Sequence, residues 1–327
     1  MKYRCVFAVL QLYGFTQLAG VAAEPTPAEP TVDAGEKLKL GDAALSKSEY
    51  SSAISLYSQA IAADPKAPLP YTKRAAAYLQ KHENDKALRD LNEAVELDPN
   101  MISAYLSRGK LQRMMCRFKG ARADFQQVLE KKPGQKTSTA EMEKVTKGEA
   151  ALSKAHELLE VLKVKGLSDS AQLQDAVSQV LDTSPDCVEA RILRAEASMA
   201  IKDYGTVVSE TGRILKMDPG NMNALLLRGR SYFYLADHEL SMRHFREALK
   251  FDPEHTAIKK EYRKVKNLDK RMGQAKEAFD KSQWEEAVEA YSRALEVGPM
   301  QGPCLWFRAF FRAFWELGAS ERVAARV

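Results

Sequence analysis

Two stretches, "SSAISLYSQAIAADP" at residues 51–65 and "DKALRDLNEAVELDP" at residues 85–99, decide the fold of this 327-residue chain. Both place an alanine, a large residue, a second alanine and a proline at the same offsets: Ala53, Tyr57, Ala60 and Pro65, then Ala87, Leu91, Ala94 and Pro99. A third copy, "EEAVEAYSRALEVGP", closes at Pro299. The chain is therefore built from a repeated unit.

Prolines extend this register along the whole chain. Helical runs close with proline at 65, 99, 133, 185, 219, 253 and 299, so that four of the six gaps equal 34 and the others exceed 34 by 18 and by 12. This period is typical of tetratricopeptide repeats, which are stacked helix–turn–helix units. We therefore predict an all-α solenoid, a right-handed superhelix of such units with two lengthened connecting helices.

The residue types inside each unit give this period a physical reason. The eighth position is small in five units, so that the paired helix can approach closely: Gly41, Ala75, Gly109, Ala195 and Gly229. A large residue, such as Tyr57 or Leu91, fills the space between the two alanines of the second helix. Proline then ends that helix, because it lacks an N–H and disfavours helical geometry in the residue before it.

The register also divides the chain. We expect a signal peptide over 1–23, a flexible linker over 24–33, repeats one to three over 34–135 (the first block), a connecting helix over 136–153, repeats four to six over 154–253 (the second block), a second connecting helix over 254–267, repeat seven over 268–299 and an atypical, aromatic-rich tail over 300–327. The fourth unit is weak and rests mainly on Pro185. We interpret the tail as a truncated or mis-spliced end rather than a degenerate eighth repeat.

The segment 1–23 places Lys2 and Arg4 before a short apolar run that ends in small residues, the order of a secretory signal peptide. The run is too short to cross a bilayer, which takes about 20 residues. Three cysteines remain beyond this segment: Cys116, Cys187 and Cys304. Buried thiols are the default expectation, although one pair could form in an oxidising compartment, and the sequence does not indicate which.

Charge and motifs argue against several classes of function. The net charge of +5, from 49 basic and 44 acidic residues, is too balanced for a nucleic-acid-binding protein. The basic stretch at 259–271 contains a single aromatic residue, Tyr262, and is interpreted as a solvated helix. "HELSM" at 238–242 lacks the second histidine of a zinc-protease helix, since position 242 is Met242. We therefore expect a protein without enzymatic activity, metal site or cofactor.

Binding therefore remains as the expected function, in the concave groove that a solenoid presents. Some tetratricopeptide arrays hold a carboxylate there with Lys-x-x-x-Asn, but Gly41 and Ala43 stand at the asparagine position after Lys37 and Lys39. The groove-facing positions of the first block are apolar instead: Leu38, Leu45, Leu69, Leu79, Leu106 and Met114. They predict a groove for exposed hydrophobic segments of other chains, with packing between neighbouring helices as the alternative role of each residue.

Two segments resemble a known family: "YFYLADHELSMRHFREALKFDPEHTAIKKEYRKVKNLDK" at 232–270 and "EARILRAEA" at 189–197. They are similar to the endoplasmic-reticulum lumenal co-chaperones that join tetratricopeptide repeats to a J domain, known as inhibitors of the interferon-induced protein kinase. The resemblance implies that the first block binds unfolded polypeptide clients. It also implies a J domain that recruits the chaperone BiP, but the sequence contains no His-Pro-Asp tripeptide. The chain is expected to stop before that domain.

Two hypotheses follow. The first is a non-catalytic co-chaperone of the endoplasmic reticulum lumen that binds unfolded proteins through its apolar groove. The second is a tetratricopeptide scaffold that joins specific folded partners.

Overall fold

The computed structural model describes residues 33–165, 170–295 and 297. Within these residues all regular structure is helical, and the helices run in chain order: α1 Ala34–Ser46, α2 Tyr50–Ala63, α3 Pro68–Gln80, α4 Asn84–Leu97, α5 Ile102–Met114, α6 Phe118–Lys131, α7 Lys136–Lys165, α8 Ser170–Thr183, α9 Val188–Ala200, α10 Tyr204–Met217, α11 Met222–Tyr234, α12 His238–Phe251, α13 Thr256–Asp280 and α14 Trp284–Leu295. Each helix packs against the next along the chain. The prediction of an all-α solenoid is confirmed.

Close packing inside each helical hairpin explains the small residues at the eighth position. A Cβ atom on Gly41 would lie 2.5 Å from a ring carbon of Tyr57, and one on Gly109 would lie 2.9 Å from a ring carbon of Phe125. Both rings are fully buried. The large residue of the second helix thus occupies the space that a side chain on the first helix would need.

The turns inside six of the described hairpins each depend on one residue with a left-handed backbone. The turn residues are Ser48, His82, Cys116, Lys202, Ala236 and Ser282, with φ between 51° and 63°. The backbone N–H of each of them donates a hydrogen bond to a carbonyl three residues earlier, which closes the end of the first helix. None is glycine, although glycine adopts this conformation at the lowest cost.

A recurrent arginine, the seventh residue of the first helix in four hairpins, ties each of these hairpins to the one before it. Arg74 donates to both carboxylate oxygens of Asp90 in its own unit and to Ser58 of the preceding unit. Arg108 repeats this pattern with Asp124 and Asn92. Arg194 and Arg228 hold the same position in the second block. We call these four side chains the arginine ladder.

Two helices are much longer than the rest, α7 with 30 residues and α13 with 25, as predicted. The first part of α7 packs on α6, where Val145 lies in one cluster with Phe118 and Phe125. Its last part pairs with α8, where Leu159 contacts the cluster of Leu173. Residues 154–165, assigned from the sequence to the fourth unit, thus continue the connecting helix without a turn.

The two blocks meet where the α8–α9 turn reaches the α5–α6 turn. A disulfide joins Cys116 to Cys187, so the default expectation of free buried thiols is wrong for this pair. Beside it, the Asp186 N–H donates to the carbonyl of Met114 at 3.1 Å, and the Asn84 amide donates to the Asp186 carboxylate at 2.9 Å. These contacts fix the start of the second block against the first.

Several expectations concern residues outside those that the structure describes. They are the signal peptide, most of the linker, the tail at 300–327 and the closing Pro299. Cys5 and Cys304 also lie there.

Candidate binding groove

The six groove residues expected from the sequence all lie on the first helices of the three units. Leu38 and Leu45 are on α1, Leu69 and Leu79 on α3, and Leu106 and Met114 on α5. Among the first helices, α1 contacts α3 and α5 contacts α7 directly. The helical spacing therefore brings these side chains to one side of the first block.

Most of these residues also pack inside the block. Leu38 and Leu45 contact the buried cluster around Tyr57, Leu79 contacts the cluster around Leu91, and Leu106 contacts two clusters, around Ala94 and around Phe118. All of them, and Met114, are half-buried. Leu69 differs, because 42% of its surface is exposed near the start of α3. Their role in binding stays a prediction.

Several charged side chains on consecutive first helices pair with one another. Lys73 of α3 lies 3.1 Å from Asp42 of α1, and Asp42 also accepts a hydrogen bond from the buried Tyr57 hydroxyl at 2.7 Å. Burial and this hydrogen bond raise the pKa of Tyr57. These ion pairs link consecutive first helices along the groove.

The same arrangement recurs further along the chain. Arg113 of α5 pairs with Glu141 of α7 at 2.7 Å, and Arg230 of α11 pairs with Glu261 of α13 at 2.9 Å. Burial opposes ionisation of Glu141, but hydrogen bonds from Lys144 and Arg113 outweigh it and lower the pKa of Glu141. Glu141 therefore keeps its charge beside Arg113 and Lys144.

A cleft of about 400 Å³ lies at the matching positions of the second block, between α9 and α11. Its lining includes Met199, Leu226 and Leu227 with Asn223 and Arg230. None of these residues is among the groove residues predicted from the sequence. The repeat register could have predicted two of them, because Met199 and Leu226 hold the same repeat positions as Leu79 and Leu106.

Two other kinds of site are not formed by the described part of the chain. No three His, Cys, Asp or Glu side chains converge there as metal ligands do. Among the described helices, none combines the length and apolar content that crossing a membrane requires.

Family models for tetratricopeptide repeats match three segments of the chain. The model described as "TPR repeat" matches residues 41–81, and two described as "Tetratricopeptide repeat" match residues 72–136 and 223–255. The matches fall in both blocks.

Relatives in plants and animals share much of the chain. "DnaJ protein P58IPK homolog A" of Oryza sativa subsp. japonica is 39% identical over 233 residues, which cover 71% of this chain and 48% of the relative. "DnaJ homolog subfamily C member 3" of Gallus gallus is 28% identical over 267 residues, covering 81% of this chain and 52% of the relative. The chain thus spans about half the length of the curated relatives it matches.

A solved structure supports the same relationship. The crystal structure of the P58(IPK) TPR domain superposes with a TM-score of 0.69 and 26% sequence identity. The match covers 82% of this chain and 74% of that chain, so it includes both blocks and the long α7 between them.

Proposed function

The chain is a tetratricopeptide-repeat protein of the P58IPK type, and from this relationship we propose that it is a non-catalytic co-chaperone that binds unfolded proteins in the endoplasmic reticulum lumen. The clients are extended segments rich in apolar side chains. They contact the first helices of the first block, at Leu69 and at the exposed parts of Leu38, Leu79 and Leu106.

The pairing of the groove charges is the observation that carries this proposal. Lys73, Arg113 and Arg230 each already face a carboxylate, so a client gains little by offering one. Leu69 and the exposed parts of Leu38, Leu79 and Leu106 then supply apolar surface for contact, and removing such surface from water favours a complex. Such a groove selects ligands by apolar content rather than by a fixed charged motif.

The lumenal location is supported by the Cys116–Cys187 disulfide. Disulfides persist in secretory compartments and are rare in the cytosol of most cells. The basic and apolar start of the sequence is consistent with entry into that pathway. Cooperation with BiP is proposed as transfer of a bound client.

A scaffold that joins specific folded partners is the second candidate. The cleft between α9 and α11 favours it, because Asn223 gives that cleft a polar side chain beside the apolar Met199, Leu226 and Leu227. A folded partner would be recognised there by shape and hydrogen bonding, whereas a co-chaperone tolerates many sequences.

The test compares two exposed leucines. Leu69→Glu changes a first-helix position that is 42% exposed, and Leu97→Glu changes the last residue of α4, which is 37% exposed. The wild-type protein is expected to suppress aggregation of several unrelated denatured proteins, measured by light scattering. Leu69→Glu should weaken suppression about threefold or more, since a charge replaces buried apolar contact, and Leu97→Glu should not.

Circular dichroism melts of both variants show whether the fold is kept. Equal effects of the two substitutions, or no suppression by the wild-type chain, would contradict the co-chaperone proposal. Binding of one folded partner without suppression would favour the scaffold.

A further inference from the structure

A second cleft, of about 370 Å³, opens beside the disulfide that joins the two blocks. It lies between the start of α6 and the middle of α7, with Lys119 and Gly120 on one side and Leu152 on the other. His156 and Glu189, paired at 2.7 Å, also line it. Cys116 is part of the lining, so one half of the disulfide belongs to a surface cleft.

The two cysteines have different surroundings. Cys187 is fully buried in the cluster around Leu173, whereas Cys116 is half-buried in its turn. A thiolate attacks a disulfide sulfur directly, so access decides which of the two it reaches. The geometry favours attack on the sulfur of Cys116.

The other half of the bond provides a good leaving group. Cys187 is the N-cap residue of α9, and its sulfur accepts the N–H of Ala190 at 3.3 Å. Helix N-termini and N–H donors stabilise a thiolate. The accessible sulfur is thus that of Cys116, and the Ala190 N–H at the start of α9 offsets part of the cost of a buried thiolate at Cys187.

Two exposed basic residues flank the accessible sulfur. Arg117 and Lys119 follow Cys116 closely, at the turn and first residues of α6. Positive charge raises the local concentration of an approaching anion such as a thiolate. Arg117 lies 3.7 Å from its carboxylate partner Asp85, and both side chains are more than half exposed, so its charge remains available at the rim.

We propose that Cys116–Cys187 is a thiol–disulfide exchange site that receives the dithiol of a Cys-x-x-Cys protein oxidoreductase. The first thiolate of the partner bonds to the sulfur of Cys116, and Cys187 leaves as a thiolate. The second thiolate of the partner then attacks the mixed disulfide and releases Cys116 as a thiolate. Two electrons pass from the dithiol, which becomes a disulfide, to the bond between the blocks, and two protons complete the thiols.

Exchange at this site would change how the two blocks are joined. The disulfide bridges 71 residues of sequence between the first-block and second-block turns. Without the disulfide, two described hydrogen bonds of Asp186 remain at this joint. Its N–H donates to the carbonyl of Met114, and its carboxylate accepts from the amide of Asn84. The partner would thereby set the stiffness of the joint and not the fold of either block.

A trapping experiment tests the assignment. The full chain carrying Cys5→Ser and Cys304→Ser is oxidised and mixed with a Cys-x-x-Cys oxidoreductase whose second cysteine is replaced by serine, so that the mixed disulfide accumulates. Mass spectrometry of the cross-linked peptide should place the partner on Cys116 in at least about tenfold excess over Cys187, because only one sulfur is accessible.

Two charge-reversal variants, one near the cleft and one far from it, test the role of the basic residues. Lys119→Glu reverses the charge next to the cleft and should slow trapping about threefold. Lys132→Glu reverses a charge just past the far end of α6 and should leave the rate unchanged. A partner on Cys187, or no trapped species while dithiothreitol still cleaves the bond, overturns the proposal. So do equal rates for the two lysine variants.

Discussion

The first and second blocks place the same arginine at the same position and complete its contacts with different chemistry. In the first block Arg108 donates to both oxygens of Asp124, at 2.9 and 2.6 Å, and Arg74 does the same with Asp90. In the second block Arg228 donates to Nε2 of His244 at 3.3 Å and to the carbonyl of Val208 at 2.7 Å. The geometry of the stack thus requires the arginine, while its acceptor can vary.

Arg194 has a third set of partners. It donates to Ser178 at 2.9 Å and lies 3.6 Å from Glu210, which is itself held by Arg191 at 2.8 Å and Arg213 at 3.3 Å. The carboxylate is shared among three arginines. The first block is therefore stabilised by two separate buried ion pairs. In the second block, Arg194 shares the Glu210 carboxylate with other arginines, and Arg228 donates to a histidine.

The largest expected difference follows from removing one arginine in each block. Arg108→Met leaves the Asp124 carboxylate buried, 3% exposed, and without its partner, which should lower the free energy of unfolding by about 3–5 kcal/mol. Arg194→Met leaves Glu210 with two partners and should cost about 1 kcal/mol. Hydrogen exchange resolved by helix measures each block separately.

The double variant Arg108→Met with Asp124→Leu is the control. Replacing both members of a buried pair by apolar residues is often nearly neutral. Most of the lost stability should therefore return. Equal losses for the two single variants would show that the two blocks do not differ in this respect.

A smaller difference concerns pH. Burial, and then the charge of Arg228, lower the pKa of His244, although Glu247 at 3.5 Å opposes the shift and Arg243 adds to it. The unfolded chain binds this proton more readily than the folded one, so stability is lost as pH falls below the ordinary histidine pKa of 6.5. The second block should lose protection from hydrogen exchange between pH 7 and pH 5, while the first keeps most of its protection.

His244→Asp tests the cause. It places the acceptor of the first block in the second, where an aspartate can pair with Arg228 as Asp124 pairs with Arg108. This variant should remove most of the pH dependence. His238 is a second contributor, because burial also lowers its pKa, and His238→Gln measures its share. A pH response that survives both substitutions would contradict the assignment.

The smallest effect should be the same in both blocks. His82 and Lys202 occupy the left-handed turn position, with φ of 58° and 63°. Replacing either by glycine removes a strain of about 1–2 kcal/mol but adds freedom to the unfolded chain, for a net gain of about 0.5 kcal/mol. Thermal unfolding should show equal gains for the two variants.

Ala43→Gly, within α1, is the control for these turn substitutions and should instead lose about 1 kcal/mol. A gain in one block alone would mean that the turns differ in ways that the backbone angles do not show.

The sequence predicted the features that depend on local spacing. Proline stops, small residues such as Gly41 and Gly109, and the excess lengths before Pro185 and Pro299 were enough to define the helical units and the two long helices. These features are local because each unit folds against its immediate neighbours.

The positions of the arginine ladder repeat in the sequence, but no role was predicted for them. Arg74 and Arg108 are separated by one repeat period, as are Arg194 and Arg228, directly before the small residue of each first helix. An arginine on an amphipathic helix is ordinarily exposed, so the pattern alone did not indicate burial. The buried carboxylates Asp90 and Asp124, at matched positions of successive units, were the additional signal.

The disulfide could not be predicted in the same way. Cys116 and Cys187 meet only because α7 is long enough to return the chain, through α8, to the turn after α5. That path depends on where α7 ends and at which angle α8 packs, neither of which a repeat register specifies. The groove leucines lie between these cases, since their helices were predicted but their packing against Tyr57 and Leu91 was not.

The bridge between residues 116 and 187 also sets how the protein behaves under a pulling force. It encloses α6, α7 and α8, and at about 3.4 Å per extended residue it withholds about 240 Å of length from a chain stretched by its ends. Tension would pass directly through the two sulfur atoms and leave the three helices unloaded. A chain pulled through a pore that admits only a single extended strand would therefore halt at this loop until the disulfide is reduced.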